Sequence, residues 1–147
     1  MLIHLFKKEP IPKKVPYNLQ IEINKLKKSK DKLGCLKKAH KTITSKFHGG
    51  KFLPYVNLFQ LFEENPKRLW NKASYLDCVH LNYLLRILLI KSGFFTEEDI
   101  KLKITAGYLF FPHQYLKIKI NKKFIDVDCW GYKYGKDIGK HCNTFNC

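Results

Sequence analysis

Arginine is scarce in this chain. Arg68 and Arg86 are the only two among 28 basic residues, so nearly all of the net charge of +16 is lysine. Base-edge reading and planar phosphate clamps favour the guanidinium fork, which argues against a sequence-specific nucleic-acid reader. The lysines are spread along the chain, and no helix-turn-helix, RRM or KH signature presents them. They read as a solvating coat, compatible with non-specific attraction to polyanions. Long apolar runs are also missing. The longest, Tyr83 to Ile90, is broken by Arg86 and stopped by Lys91, well short of the roughly 20 residues that span a bilayer. The opening Met1 to Lys8 places apolar residues before charges and has no small-residue cleavage site, the reverse of a secretory signal. A cytoplasmic protein without membrane insertion is expected. There is no CxxC pair among Cys35, Cys78, Cys129, Cys142 and Cys147, and the odd count argues against both a disulfide framework and a zinc knuckle. At least one thiol should be free. The late group Cys129, His141, Cys142 and Cys147 fits no zinc spacing, so no metal and no cofactor is expected.

What is present suits one globular domain: 147 residues, 45% apolar and 14% aromatic. Residues 1–30 form a Lys/Pro-rich arm with Pro10, Pro12 and Pro16, and a boundary is suspected near residue 30. Within it Leu19, Ile21 and Ile23 alternate like a strand but continue through Leu26 at helical spacing, so both readings stay open. Residues 31–134 form the main domain. Leu33, Leu36, Ala39, Ile43 and Phe47 predict a helix from Asp31 to Phe47, closed by Gly49-Gly50. Phe52 to Phe62 reads as helical near its end, and Pro66 opens a short helix over Lys67 to Trp70. The strongest element runs from Asp77 to Ser92 before Gly93, a buried central helix with Leu81, Leu84, Leu85, Leu88 and Leu89. Alternation then predicts three or four antiparallel strands over Lys101–Thr105, Tyr108–Phe111, His113–Ile120 and Phe124–Trp130. Helices followed by a meander make an α+β fold. Residues 135–147 read as a polar, loosely held tail.

Cys78 opens the strongest helix, where unpaired backbone N–H groups and the helix dipole favour a thiolate. A buried filler is the bland alternative, because free cysteine is often simply packed away. The hairpin supplies partners. With Asn121-Lys122 at the turn, Ile120 faces Lys123, Ile118 faces Ile125, Leu116 faces Val127 and Tyr115 faces Asp128. One face is then wholly apolar; the other brings His113 and Asp128 together as diagonal neighbours, so a carboxylate can hold the imidazole. Asp126 falls opposite Lys117, where a cross-strand ion pair accounts for it. His80, two residues beyond Cys78, points to another side of the helix and is left out of the site. Tyr115 shares the His113 face and either lines a substrate groove or simply packs.

The blocks Asp77-Cys78-Val79-His80 through Leu88 to Gly93-Phe94, Ile104-Thr105-Ala106-Gly107-Tyr108, His113 to Ile118, and Lys123 to Asp128 with Trp130-Gly131 succeed one another in a telling order. Over roughly Leu33 to Gly131 the chain resembles the transglutaminase-like superfamily of papain-type cysteine enzymes. The resemblance implies a papain/transglutaminase-like core, with Cys78 as nucleophile, His113 as base and Asp128 as orienting acid. It also implies acyl transfer from a peptide or protein amide through a thioester. Leu76, where a small residue often precedes the Asp-Cys pair, and Lys117, in place of a common acidic residue, depart from the pattern and bear on substrate preference. The oxyanion would be met by the Cys78 amide and a second donor from Trp70, Asn71 or Tyr75. Arylamine acetyltransferases share the triad types and order, but their chains are much longer. The rival reading is a degenerate member serving as a basic binding module for nucleic acid or an acidic protein.

Overall fold

The computed structural model describes residues 6–49, 63–72, 75–107 and 111–147. Its architecture is mixed α and β, with helices packed on a three-stranded antiparallel sheet. Helix α1 (Tyr17–Lys27) settles the ambiguity at Leu19 in favour of helical spacing. Leu19, Ile23 and Leu26 are buried together, while Ile21, which a strand would have placed beside them, is exposed. These side chains join one core with α2 (Lys32–Lys46). Residues on both sides of position 30 therefore contribute to the same domain. The described residues ahead of α1, from Phe6 on, lie along the domain surface: Tyr83 donates to the carbonyl of Pro10 at 3.3 Å and Lys91 to that of Lys13 at 3.0 Å.

Asp31 caps α2, its Oδ1 accepting from the Gly34 amide at 2.7 Å. Leu36, Ala39, Ile43 and Phe47 face the core as the spacing predicts, but Leu33, one turn earlier, is exposed. The predicted helical turn within Phe52 to Phe62 lies outside the described residues. Helix α3 (Pro66–Trp70) starts on Pro66 with Asn65 as its cap. Two short strands flank this region, β1 (His48–Gly49) and β2 (Tyr75–Leu76), paired in parallel.

Helix α4 (Cys78–Lys91) is apolar nearly all round and is the centre of the fold, with His80 through Leu89 all buried. Its buried polar side chains have partners, although Arg86 Nε itself makes no hydrogen bond. Asn82 Nδ2 donates to the Gln114 backbone carbonyl at 2.9 Å and to Gln114 Oε1 at 3.1 Å. Arg86 reaches both carboxylate oxygens of Glu97, at 2.9 and 3.0 Å, and the carbonyl of Glu9 at 2.9 Å. Gly93, at φ 85°, ends the run in the left-handed region that disfavours a side chain.

The three-stranded sheet is built from β3 (Ile100–Ala106), β4 (Pro112–Ile120) and β5 (Lys123–Val127), in that spatial order. The predicted strand Tyr108–Phe111 lies mostly outside the described residues, and Phe111 itself is not in a strand. The β4–β5 register pairs Ile120 with Lys123, Ile118 with Ile125 and Leu116 with Val127, as the apolar alternation requires. Asn121 takes φ 55° in the turn, the left-handed value that Asn accommodates better than most residues. β5 ends at Val127, earlier than the predicted Trp130, because the chain turns at Asp128 toward a 3₁₀ turn over Gly131–Tyr134.

Candidate active site

Cys78 is the first residue of α4 and is half-buried. At that position its backbone N–H has no partner within the helix and points out of the helix start. The residue before it, Asp77, caps the helix. Its Oδ1 accepts from the His80 amide and its Oδ2 meets His80 Nδ1, both at 2.9 Å. His80 is thus a buried partner of the cap, and the carboxylate adjoining Cys78 is turned toward that ring rather than toward the sulfur.

His113 stands near the start of β4, opposite Thr105 of β3. It is 4% exposed, and the ring of Trp130 lies 4.9 Å from its own. Behind it sits Gly107, where a Cβ would come within 2.8 Å of the His113 Cβ; glycine is what lets the two backbones approach. Nε2 of His113 lies 2.7 Å from Oδ2 of Asp128. With Nε2 engaged, Nδ1 is the ring nitrogen left for the sulfur of Cys78. Burial is the largest single influence and pulls the imidazole pKa down, but the groups around the ring together outweigh it, the hydrogen bond to Asp128 foremost. A hydrogen bond with Cys78 and the charges of both partners add to the rise, carrying the pKa to about 10. That direction favours the protonated ring at neutral pH, held between the Cys78 sulfur and the Asp128 carboxylate.

Asp128 comes directly after β5 and is 1% exposed. A carboxylate so deeply buried needs donors, and three converge on it. The Gly131 amide reaches Oδ1 at 2.9 Å, while Oδ2 takes the Cys142 amide at 2.8 Å and His113. The structure therefore brings Cys78, His113 and Asp128 together in sequence, sulfur to ring to carboxylate. A thiol, an imidazole and a carboxylate in this order are the groups that nucleophilic catalysis by a cysteine requires.

The other candidates fall differently. Asp126 pairs with Lys117 at 2.9 Å, as the register implies, and also with His141 Nδ1 at 2.8 Å. Tyr115 is buried beneath His141, the two rings stacked 4.0 Å apart and 2° from parallel. One face of its ring is thus covered by the imidazole. Of the oxyanion candidates, Trp70 is buried edge-on against Phe47, with Lys46 over its ring. Asn71 terminates α3 and faces a cleft of about 510 Å³ shared with Asn18 and Glu22 of α1. Tyr75 is exposed on β2, three residues ahead of Cys78, with Lys133 over its ring. The structure gives each of these three its own neighbours and brings none of them to Cys78 by a described contact.

The late cysteines differ from expectation. Cys142 and Cys147 are joined as a disulfide, which leaves Cys35, Cys78 and Cys129 free. Cys129 is buried, and burial pushes its thiol far up, so it is no rival nucleophile. The segment expected to be loose carries Cys142 fully buried against the site. Two contributors have no side-chain signature in the sequence, namely the amides of Gly131 and Cys142 on Asp128. For Gly131 the lack of a side chain is a faint signal, because a Cβ there would lie 2.7 Å from Asp128 Oδ2. Among the described residues no helix is long and apolar enough to cross a membrane. Comparison with models of protein families, with curated proteins and with solved structures gives no match to this chain.

Proposed function

We propose that this protein is a thiol enzyme of transglutaminase-like type that cleaves or transfers the acyl group of a peptide or protein amide. The observation that carries the reading is the bridging position of His113, which bonds Asp128 at 2.7 Å through one ring nitrogen and also shares a hydrogen bond with Cys78. In the reaction, Cys78 Sγ attacks the amide carbonyl carbon and a C–S bond forms. The oxyanion sits near the helix start, where the Cys78 amide is a donor. As the tetrahedral species collapses the C–N bond breaks, and His113 gives its proton to the leaving amine. Water or a second amine then attacks the thioester, His113 takes the proton back, and Cys78 leaves as thiolate. Asp128 keeps the ring oriented throughout and stabilises its charged form.

Thiol-directed acyl probes test this. Cys78 is expected to label faster than an ordinary thiol, and labelling should vanish in Cys78→Ala and fall steeply in His113→Ala. Labelling at the rate of a free thiol, indifferent to His113, would rule the enzyme out. The net charge of +16, with Lys101 and Lys103 exposed on β3, favours the second reading, a basic binding module that has lost its chemistry. Steeply salt-dependent binding to nucleic acid or an acidic protein, with no reactive thiol, would support it.

A further inference from the structure

Segment 139–147 crosses the sheet face that bears His113, Tyr115 and Asp128. Gly139 donates its amide to the Asp126 carbonyl at 2.7 Å. His141 bonds the Asp126 carboxylate and stacks on Tyr115. Cys142 donates its amide to Asp128 Oδ2, and Thr144 Oγ1 reaches the carbonyl of Ala106, at the end of β3, at 3.1 Å. The segment itself is neither helix nor strand. Inside the loop closed by Cys142 and Cys147, Asn143 takes part in exposed bonds, its amide to Asn146 Oδ1 at 2.8 Å and its Oδ1 to the Phe145 amide at 3.0 Å. Water competes for such bonds, so each contributes little. The covalent link is of another order, since it removes chain entropy that the open loop would regain.

We infer that the Cys142–Cys147 disulfide is a redox modification site that sets the competence of the Cys78–His113–Asp128 triad, with Cys142 as a positioning residue acting through its backbone amide. This rests on the thiol-enzyme reading above. The modifying partner is a small thiol of the glutathione class. Cys142 is fully buried and Cys147 only half-buried, so the incoming thiolate attacks the Cys147 sulfur. A new S–S bond forms there, the Cys142–Cys147 bond breaks, and Cys142 leaves as a thiolate that takes a proton. A second thiolate attacks the small-thiol sulfur of the mixed disulfide, releasing Cys147 as thiolate, which is also protonated. Two thiols are oxidised to one disulfide and the protein disulfide is reduced to two thiols. Opening the loop frees the Cys142 amide to drift from Asp128. One of the carboxylate's three donors is then weakened, Asp128 holds His113 less firmly, and the thiolate–imidazolium pair is less populated.

The test measures alkylation of Cys78 by iodoacetamide from pH 4 to 9, located by peptide mass mapping, in the full chain. Three forms are compared: disulfide-intact wild type, wild type reduced with dithiothreitol and desalted under argon, and Cys147→Ser. Melting temperatures verify that each form is folded. The intact protein is expected to be alkylated rapidly at pH 6, at a rate that depends on His113. In the two open forms the rate at pH 6 should fall by on the order of tenfold, with the acid limb displaced upward by about one pH unit. Reoxidation of the reduced wild type should restore the first profile, which a folding defect would not do. Identical profiles in intact and reduced wild type, with Cys78 still fast and His113-dependent, would overturn the inference and leave the enzyme reading standing. A slow, His113-independent Cys78 in the intact protein would remove the enzyme reading and this inference together.

Discussion

The Cα of Gly131 faces the carboxylate of Asp128 so closely that a Cβ would lie 2.7 Å from Oδ2 and 2.8 Å from the sulfur of Cys142. The glycine also donates its amide to the other carboxylate oxygen at 2.9 Å. One residue thus supplies a hydrogen bond and the space in which the carboxylate sits. Gly131→Ala is expected to destabilise the fold by about 1–3 kcal/mol through overpacking. It should also slow Cys78 labelling by at least about tenfold, since Asp128 must shift to make room. Thermal melts and probe kinetics on the same preparation check this. An alanine variant with unchanged labelling would mean that the carboxylate does not orient His113.

Replacing Asp128 by Asn retains the shape and one oxygen for the Gly131 amide but removes the charge, and an NH2 in place of Oδ2 costs the Cys142 amide its acceptor and reverses the preference at His113 Nε2. Labelling should fall by about 10²–10⁴-fold, the range over which an orienting acid acts through its histidine. The hydrogen bond to Asp128 is the largest of the influences that raise the His113 pKa. Its loss lowers that pKa, so the alkaline limb of acyl transfer should move to lower pH. An alkaline limb that stays in place in Asp128→Asn would show that it belongs to another group.

The hairpin that places these two residues was legible in the sequence, because Leu116, Ile118, Ile125 and Val127 can share a buried face in one register only, and the observed pairing is that register. Helix α4 was legible for a similar reason, its leucines having no gap and its start carrying Asp77. Leu19, Ile21 and Ile23 fit two periods at once, and burial of Leu26 against the same core, with Ile21 left exposed, decides for the helix. The covering of Tyr115 by His141 was not legible. It depends on a return of the chain across 26 residues, and no local pattern encodes where an irregular segment lands. The Cys142 amide on Asp128 is more hidden still, since every residue but proline carries the same donor.

The raised pKa of His113 also makes a statement about stability. A histidine whose folded pKa lies above its unfolded value contributes stability that is fully present below about pH 6.5, the unfolded value. That contribution is lost as pH rises toward the folded pKa of about 10. Cys78 and Asp128 both raise the imidazole, so the measurement that isolates the carboxylate belongs in Cys78→Ala, where the hydrogen bond to Asp128 still acts in that direction. There the melting temperature should decline between pH 6.5 and the shifted folded pKa. The decline should flatten when His113→Gln is added. Equal slopes in the single and double variants would mean that His113 is not held protonated.

Asp77 serves two groups at once, the His80 amide at the helix start and the His80 ring, each at 2.9 Å. Asp77→Ala removes a cap worth about 0.5–2 kcal/mol. It also leaves a buried ring nitrogen without its partner, a further cost of about 1–3 kcal/mol. Asp77→Asn retains an oxygen for the amide and should lose much less. Because Cys78 is the next residue, the two changes should separate in chemistry as well. The alanine variant frays the turn that aims the Cys78 N–H and slows labelling, whereas the asparagine variant stays near the wild-type rate. Urea melts paired with labelling kinetics decide it. An alanine variant that loses stability but labels at full speed would show that the first turn of α4 does not need its cap to present the sulfur to His113.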